Sequence, residues 1–207
     1  MKRVILASSS PRRYELLTAT GLPFEVARPD IDESPRPNES TDSYVLRLSR
    51  EKARAVGKTH SGIIISADTT VVDDGAILGK PVDTADAIAM LLRLRNRSHV
   101  VHTGLTVYDT EIGTASTELT TSQVIMRNLT DSEIDAYVTS GDPMGKAGSY
   151  AIQNTEYRPV AELDGCYTNV VGLPLCTLSK LLNEQGVDVP NPVPCSPAHL
   201  PCTMSRT

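Results

Sequence analysis

The stretch Ile63-Ile-Ile-Ser-Ala-Asp68-Thr69-Thr70-Val-Val72 decides the fold. Positions 63–67 carry no charge and read as a short, fully buried strand. The strand continues through Asp68 to Val72, turns at Asp73-Asp74-Gly75 and returns over positions 76–78 as a hairpin. An Asp that emerges from an apolar strand costs a great deal if buried unpaired. Asp68 is therefore expected at a sheet edge or end, facing a metal, a cation or a substrate. It suits a Mg²⁺ ligand or a general base, and the plain alternative is a strand-end Asp capping a turn.

Outward from this stretch, strands alternate with helices. Positions 3–7 read as a buried strand ending in Ser8-Ser9-Ser10, and Ser10 caps a helix with Pro11 at its first position, stopped by Gly21. A Pro-rich loop with Asp32 and Glu33 leads to a long helix over 41–57. A helix over 84–95 and two longer strands, 99–108 and 116–127, follow. Thr130-Asp-Ser-Glu133 is a capping box opening the next helix. Short strands are expected near 150–152, 160–163 and 167–171, then a last helix over 174–185. Such interleaving implies an α/β sandwich around a mixed sheet. The single domain spans 1–187, and the Pro-rich end, 188–207, reads as a flexible tail.

Composition narrows the function. The 207 residues carry a formal net charge of −5, whereas a dedicated nucleic-acid binder usually has a basic domain. No apolar run approaches the ~20 residues that cross a bilayer, and the apolar stretch at 4–7 is too short for a signal peptide. A cytoplasmic protein without nucleic-acid or membrane partners is expected. Cys166, Cys176, Cys195 and Cys202 show no metal-site spacing and read as free thiols.

Several further residues carry chemistry. Leu6-Ala-Ser-Ser-Ser-Pro-Arg-Arg13 places hydroxyls and two guanidiniums at a helix start, which favours an anion. Arg12 and Arg13 oppose the helix dipole there, which a bound phosphate would offset; two solvated surface arginines are the other reading. Lys52 falls on the apolar stripe marked by Val45, Leu48, Ala55 and Val56, so it either snorkels out or points into a polar cleft. Lys80, in Gly79-Lys80-Pro81, lacks the spacing of a phosphate-cradling P-loop but could charge a nearby pocket. Gln153, ending Lys146-Ala-Gly-Ser-Tyr-Ala-Ile-Gln153, has an amide that can read base edges. Glu33 and Asp32 are candidates to share a metal with Asp68. His99 and His102 lie three apart in a strand, face opposite sides and make a poor metal pair. Cations, hydroxyls and a few carboxylates at element ends are what a nucleotide-phosphate site with a divalent metal requires.

In order along the chain, LASSSPRR (6–13), DIDE (30–33), LSREKA (48–53), SADTTVV (66–72), ILGKP (77–81), DPMGKAGSYAIQ (142–153) and YTNVVGLPL (167–175) resemble the Maf-type nucleoside triphosphate pyrophosphatases. These are house-cleaning enzymes once described as septum-formation inhibitors. The resemblance implies hydrolysis of a nucleoside triphosphate to monophosphate and pyrophosphate with Mg²⁺ or Mn²⁺. It also implies an elongated, two-lobed fold of the inosine-triphosphatase type, an active cleft between the lobes and a homodimer. Ser8, Arg13, Glu33, Lys52, Asp68 and Lys80 fall on the family's active-site positions. Asp68 matches the proton acceptor, Lys52 and Glu33 accompany it, and Glu33 and Asp68 match the metal side. Arg12, Thr69 and Gln153 fall on positions associated with base choice. Ala67-Asp68-Thr69 with Ala151-Ile152-Gln153 is similar to the subgroup acting on dTTP and UTP, whereas the subgroup acting on 7-methyl-GTP carries Ser-Asp-Gln at the first block. The rival readings are such a modified-nucleotide pyrophosphatase and a non-catalytic nucleotide-binding regulator of cell division. Three positions depart from the family pattern: Gly145 where Asp is usual, and Ser66 and Ala151 where Gly is common.

Overall fold

A computed structural model describes residues 2–191 and 195–197. The order of elements is β1 (Val4–Ala7), α1 (Pro11–Ala19), β2 (Glu25–Ala27), α2 (Thr41–Gly57), β3 (Ile63–Asp73), β4 (Ala76–Leu78), α3 (Thr84–Leu94), β5 (Ser98–Asp109), β6 (Thr114–Met126), α4 (Asp131–Thr139), β7 (Val160–Asp164), α5 (Tyr167–Val171) and α6 (Leu175–Glu184). The strands form one seven-stranded sheet in the order β2-β1-β3-β5-β6-β7, with β4 on β3. β1 runs parallel to β2 and β3, which demands the crossovers that α1 and α2 supply. The remaining pairings are antiparallel, so the α/β sheet is mixed.

Alternation along β3 sorts its side chains. Ile63, Ile65 and Ala67 enter a core with Leu17 of α1 and Leu178, Leu181 and Leu182 of α6. Ile64 points the other way, to Ala53 and Val56 of α2. Farther along, Val71 and Val101 join a second core with Leu91 and Leu94 of α3 and Ile134 and Tyr137 of α4. Burying each such aliphatic side chain stabilises by about 1.5–3 kcal/mol, and Leu16 of α1 packs against both of the two larger clusters. Between them the same strand carries Asp68, Thr69 and Thr70, and the polar interruption marks the seam.

Helix α2 follows from its stripe: Val45, Leu48, Ser49, Lys52, Ala53 and Val56 are its buried residues, at spacings of three and four. The face is turned slightly from the sequence expectation, since Ala53 is buried and Ala55 only half-buried. Gly104, the cross-strand partner of Asp68, lets this helix approach. A Cβ there would meet the Val45 carbonyl oxygen at 2.4 Å, and backbone cannot swing aside. Gly104→Ala is expected to destabilise by at least about 1–3 kcal/mol through overpacking. Urea unfolding checks this, and an unchanged midpoint would show that α2 can shift freely.

Two local expectations give way, and one strand joins those expected. β2 is a three-residue edge strand, too short to stand out between Pro23 and Pro29. Residues 167–171 have strand propensity yet form α5, because the Thr168 N–H donates to Cys195 O and the Asn169 amide donates to Val101 O and Ser122 Oγ. Tertiary partners override propensity here. Residues 150–152 are not a strand either, since the Ala151 N–H donates to the Tyr137 hydroxyl instead of to a neighbouring strand. At the Pro-rich end, the Asn191 N–H donates to Thr20 O, and Cys195 is buried beside Cys166. Positions 192–194 and 198–207, including Cys202, lie outside the described residues, and so does the expectation of flexibility placed on them. No helix among the described residues is long and apolar enough to cross a membrane.

Candidate active site

β1 ends where Ser8 begins, and α1 starts three residues later at Pro11. Ser10 is the N-cap, its hydroxyl accepting from the Arg13 N–H at 3.4 Å, with Pro11 at the first helical position. This short cap holds Arg12 and Arg13 in the first turn. The Arg13 guanidinium is stitched on three sides: Nε donates to Gly172 O at 2.8 Å, and its terminal nitrogens donate to Thr69 Oγ1 at 3.1 Å and Ser8 Oγ at 3.4 Å. Gly172 is required where it is. Its φ is +121°, and a Cβ would lie 3.4 Å from Thr69 Oγ1 and 3.5 Å from Arg13 Nε.

Asp68 falls on the α2 side of β3, opposite in sense to Thr69. Lys52 Nζ donates to Asp68 Oδ1 at 2.6 Å and lies 3.0 Å from Glu33 Oε1. Both Lys52 and Asp68 are buried, at 5% and 7% exposure, so the resolution of the stripe is a polar cleft and not snorkelling. Glu33 reaches in from an exposed loop, which the Tyr44 hydroxyl pins by donating to Glu33 O at 2.8 Å. Burial pushes the Asp68 carboxyl above the ordinary carboxylate range; Lys52 and Arg13 pull it back, and Glu33 adds to the rise. At Arg13, burial works against the charge, with Asp68 favouring it and Arg12 opposing it.

One cleft of about 700 Å³ is lined by nine of the residues the sequence singled out: Ser8, Arg12, Arg13, Glu33, Lys52, Asp68, Thr69, Lys80 and Gln153. Lys80 and Gln153 are exposed on its walls. Asp32 is not part of the lining; its Oδ1 accepts from the Ser34 N–H at 2.9 Å and merely caps a turn. Lys146 also lines the cleft and carried no role in the sequence reading. The signal available was its place in the same block as Gln153. Gly145 beside it has φ +73° with open space around a Cβ, so the departure from Asp falls on backbone that glycine favours.

Two carboxylates converging on one ammonium beside several cations match the donor set of Mg²⁺, which takes one or two carboxylates and fills its shell with phosphate oxygens and water. Among the described residues no group of three or more His, Cys, Asp or Glu forms a dedicated cage. Glu33 and Asp68 are the carboxylates this cleft offers to such an ion.

His99 and His102 do face opposite sides: His99 Nε2 lies 2.8 Å from the Tyr150 hydroxyl, and His102 Nδ1 lies 2.9 Å from Thr121 Oγ1. Burial lowers the His99 pKa to about 4, against a smaller opposing pull from Asp73. Its buried Nδ1 has no partner among the described residues to receive a proton's hydrogen bond. Below pH ~6.5 the unfolded chain binds this proton and the folded one does not, so stability falls between pH 6.5 and 4, by up to about 3 kcal/mol. Urea unfolding at pH 7.5 and 4.5 should show that His99→Gln loses less stability on acidification than the parent. Equal losses would place the acid sensitivity elsewhere.

Comparison with known proteins agrees with the family resemblance. A family model described as "Maf-like protein" matches residues 3–185. A protein named "dTTP/UTP pyrophosphatase" from Geobacter sulfurreducens is 47% identical over 185 residues, covering 89% of this chain and 97% of that protein. One of the same name from Hahella chejuensis is 45% identical over 192 residues, covering 91% and 94%. Among solved structures, the Staphylococcus aureus Ham1 protein aligns at TM-score 0.47 with 13% identity, over 78% of this chain and 81% of that one.

Proposed function

The chain belongs to the Maf-like protein family, and we propose that it is a nucleoside triphosphate pyrophosphatase that hydrolyses dTTP and UTP to the monophosphate and pyrophosphate. The observation that carries this reading is that Arg13, Lys52, Lys80, Glu33 and Asp68 line one cleft. The substrate preference is supported by the names of relatives at 45–47% identity.

Arg13, already oriented by Gly172, Thr69 and Ser8, presents its fork to a phosphate without reorganising. Lys52 and Lys80 add two point charges, and the start of α1 adds its dipole. Asp68 takes a proton from water as that oxygen attacks the α-phosphorus. The bond to the bridging oxygen breaks, and pyrophosphate leaves with its electron pair. A raised carboxyl is a better proton acceptor, and Lys52 keeps it ionised and aimed. Glu33 and Asp68 would hold Mg²⁺ or Mn²⁺, whose bound form neutralises charge on the phosphate oxygens. Most of the acceleration comes from positioning and from charge already in place. Arg12, Thr69 and Gln153 also line the cleft and fall on the positions that the family resemblance associates with base choice. The family resemblance supports a cytoplasmic homodimer.

A panel of triphosphates, including 7-methyl-GTP, assayed for pyrophosphate release tests the reading. dTTP and UTP are expected to exceed purine triphosphates by about tenfold or more in kcat/KM. A purine or 7-methyl-GTP preference would overturn the substrate assignment, and absence of pyrophosphate from every substrate would overturn the activity.

A further inference from the structure

The wall that carries Lys146 and Gln153 lies between α4 and β7 and contains only one 3-10 turn, Ala147–Ser149. Neither the sheet nor a long helix fixes it. What fixes it is a set of side chains that touch neither phosphate cations nor Asp68. Tyr137, fully buried on α4, donates its hydroxyl to Asp142 Oδ2 at 2.9 Å and accepts from the Ala151 N–H at 2.9 Å. The same Oδ2 accepts from the Asn154 amide at 3.2 Å. Asp142 Oδ1 accepts from Lys146 Nζ at 3.1 Å, and Lys146 also donates to the Asp142 main-chain oxygen. One carboxylate thus gathers positions 142, 146 and 154, and one phenol ties that carboxylate to the backbone two residues before Gln153. A second tie, Gly148 N–H to Gly79 O at 3.1 Å, joins the wall to the hairpin before Lys80.

The geometry points to Tyr137 and Asp142 as positioning residues for base recognition: their hydrogen-bonded clasp presets the backbone from Ala151 to Gln153 and so sets which base the cleft accepts. This rests on the pyrophosphatase reading above and goes beyond the residues that contact substrate. Three observations support it. Tyr137 has no access to the cleft, so its hydroxyl serves the wall alone. Burial, with the bond to Asp142, pushes the phenol well above its usual range, so it stays a donor at any working pH. Burial would raise the Asp142 carboxyl, but the bonds from Lys146 and Tyr137 outweigh it and hold the carboxyl below its usual range. Burial works against the charge on Arg12, another of the residues associated with base choice, and Asp142 favours it.

Removing the phenol oxygen leaves the buried Ala151 N–H without its acceptor, a state that folded chains avoid by moving the backbone. Arg13, Lys52 and Asp68 are anchored elsewhere and stay in place. For Tyr137→Phe, kcat on dTTP should hold while KM rises about tenfold and the pyrimidine-to-purine ratio of kcat/KM falls about tenfold. Asp142→Asn, at a half-buried position and of equal size, should act in the same direction and carries the test if Tyr137→Phe does not fold. Hydrogen exchange over 142–154 should rise in both variants, with thermal unfolding as the check on global structure. A folded variant that keeps the parent's discrimination ratio, or loses kcat with the ratio unchanged, would overturn the assignment. Unchanged exchange over 142–154 would overturn the clasp even if the parent enzyme proved inactive on every triphosphate, an outcome that would sink only the pyrophosphatase reading.

Discussion

Asp68→Asn is expected to lower turnover of dTTP and UTP by about 10²–10⁴-fold, the usual cost of losing a general base. Nucleotide binding should survive. Asn keeps the volume of the side chain and an oxygen that can still accept from Lys52, so the cleft keeps its shape. Arg13 holds its place through Gly172, Thr69 and Ser8, none of which depends on the Asp68 charge. Calorimetric titration with a non-hydrolysable triphosphate, beside single-turnover assays, separates the two quantities. Turnover within tenfold of the parent would place the proton acceptor on another group.

The second large effect concerns Lys52, which is buried and shared between Asp68 at 2.6 Å and Glu33 at 3.0 Å. Lys52→Met retains the stem and removes the ammonium. Breaking a buried ion pair by deleting one partner costs about 3–5 kcal/mol, because the other charge remains without compensation. Activity should fall about 10²–10³-fold, as it does when a preorganised charge-stabilising group is lost. The pair can be told from a general packing defect. Lys52→Met with Asp68→Asn removes both charges, and most of the lost stability should return, giving a coupling energy well above the roughly 0.3–0.5 kcal/mol of independent sites. Urea unfolding of the parent, the two single variants and the double variant measures it. Additive losses would show that Asp68 does not depend on Lys52.

The site was legible in the sequence wherever polarity contradicted burial. Asp68, which follows an apolar run and sits in the middle of the central strand β3 instead of at the expected sheet edge or end, and Lys52 on an apolar stripe are each costly alone. Each therefore announced a partner, although nothing in the spacing said that each was the other's. Ser8 to Arg13 was legible because a helix cap and a strand end are local events. Asp32 was misjudged since a loop carboxylate looks the same whether it faces a cleft or its own backbone. The contacts that fix Arg13 and the Gln153 wall were not legible at all. Gly172 O lies 159 residues from Arg13, and the acceptor for the Ala151 N–H is a phenol on a neighbouring helix. Strand alternation and helix stripes reveal faces, not the partners that folding brings to them. The same limit explains α5, whose β-branched residues follow a tertiary network instead of their propensity.

The central claim is that water, relieved of its proton by Asp68, attacks the α-phosphorus. Hydrolysis in ¹⁸O-labelled water, followed by mass spectrometry of both products, addresses it. The account predicts label in the nucleoside monophosphate and none in the pyrophosphate. Label in pyrophosphate would mean attack at the β-phosphorus, and labelled orthophosphate with a nucleoside diphosphate would mean attack at the γ-phosphorus. Either result would contradict the geometry assigned to this cleft.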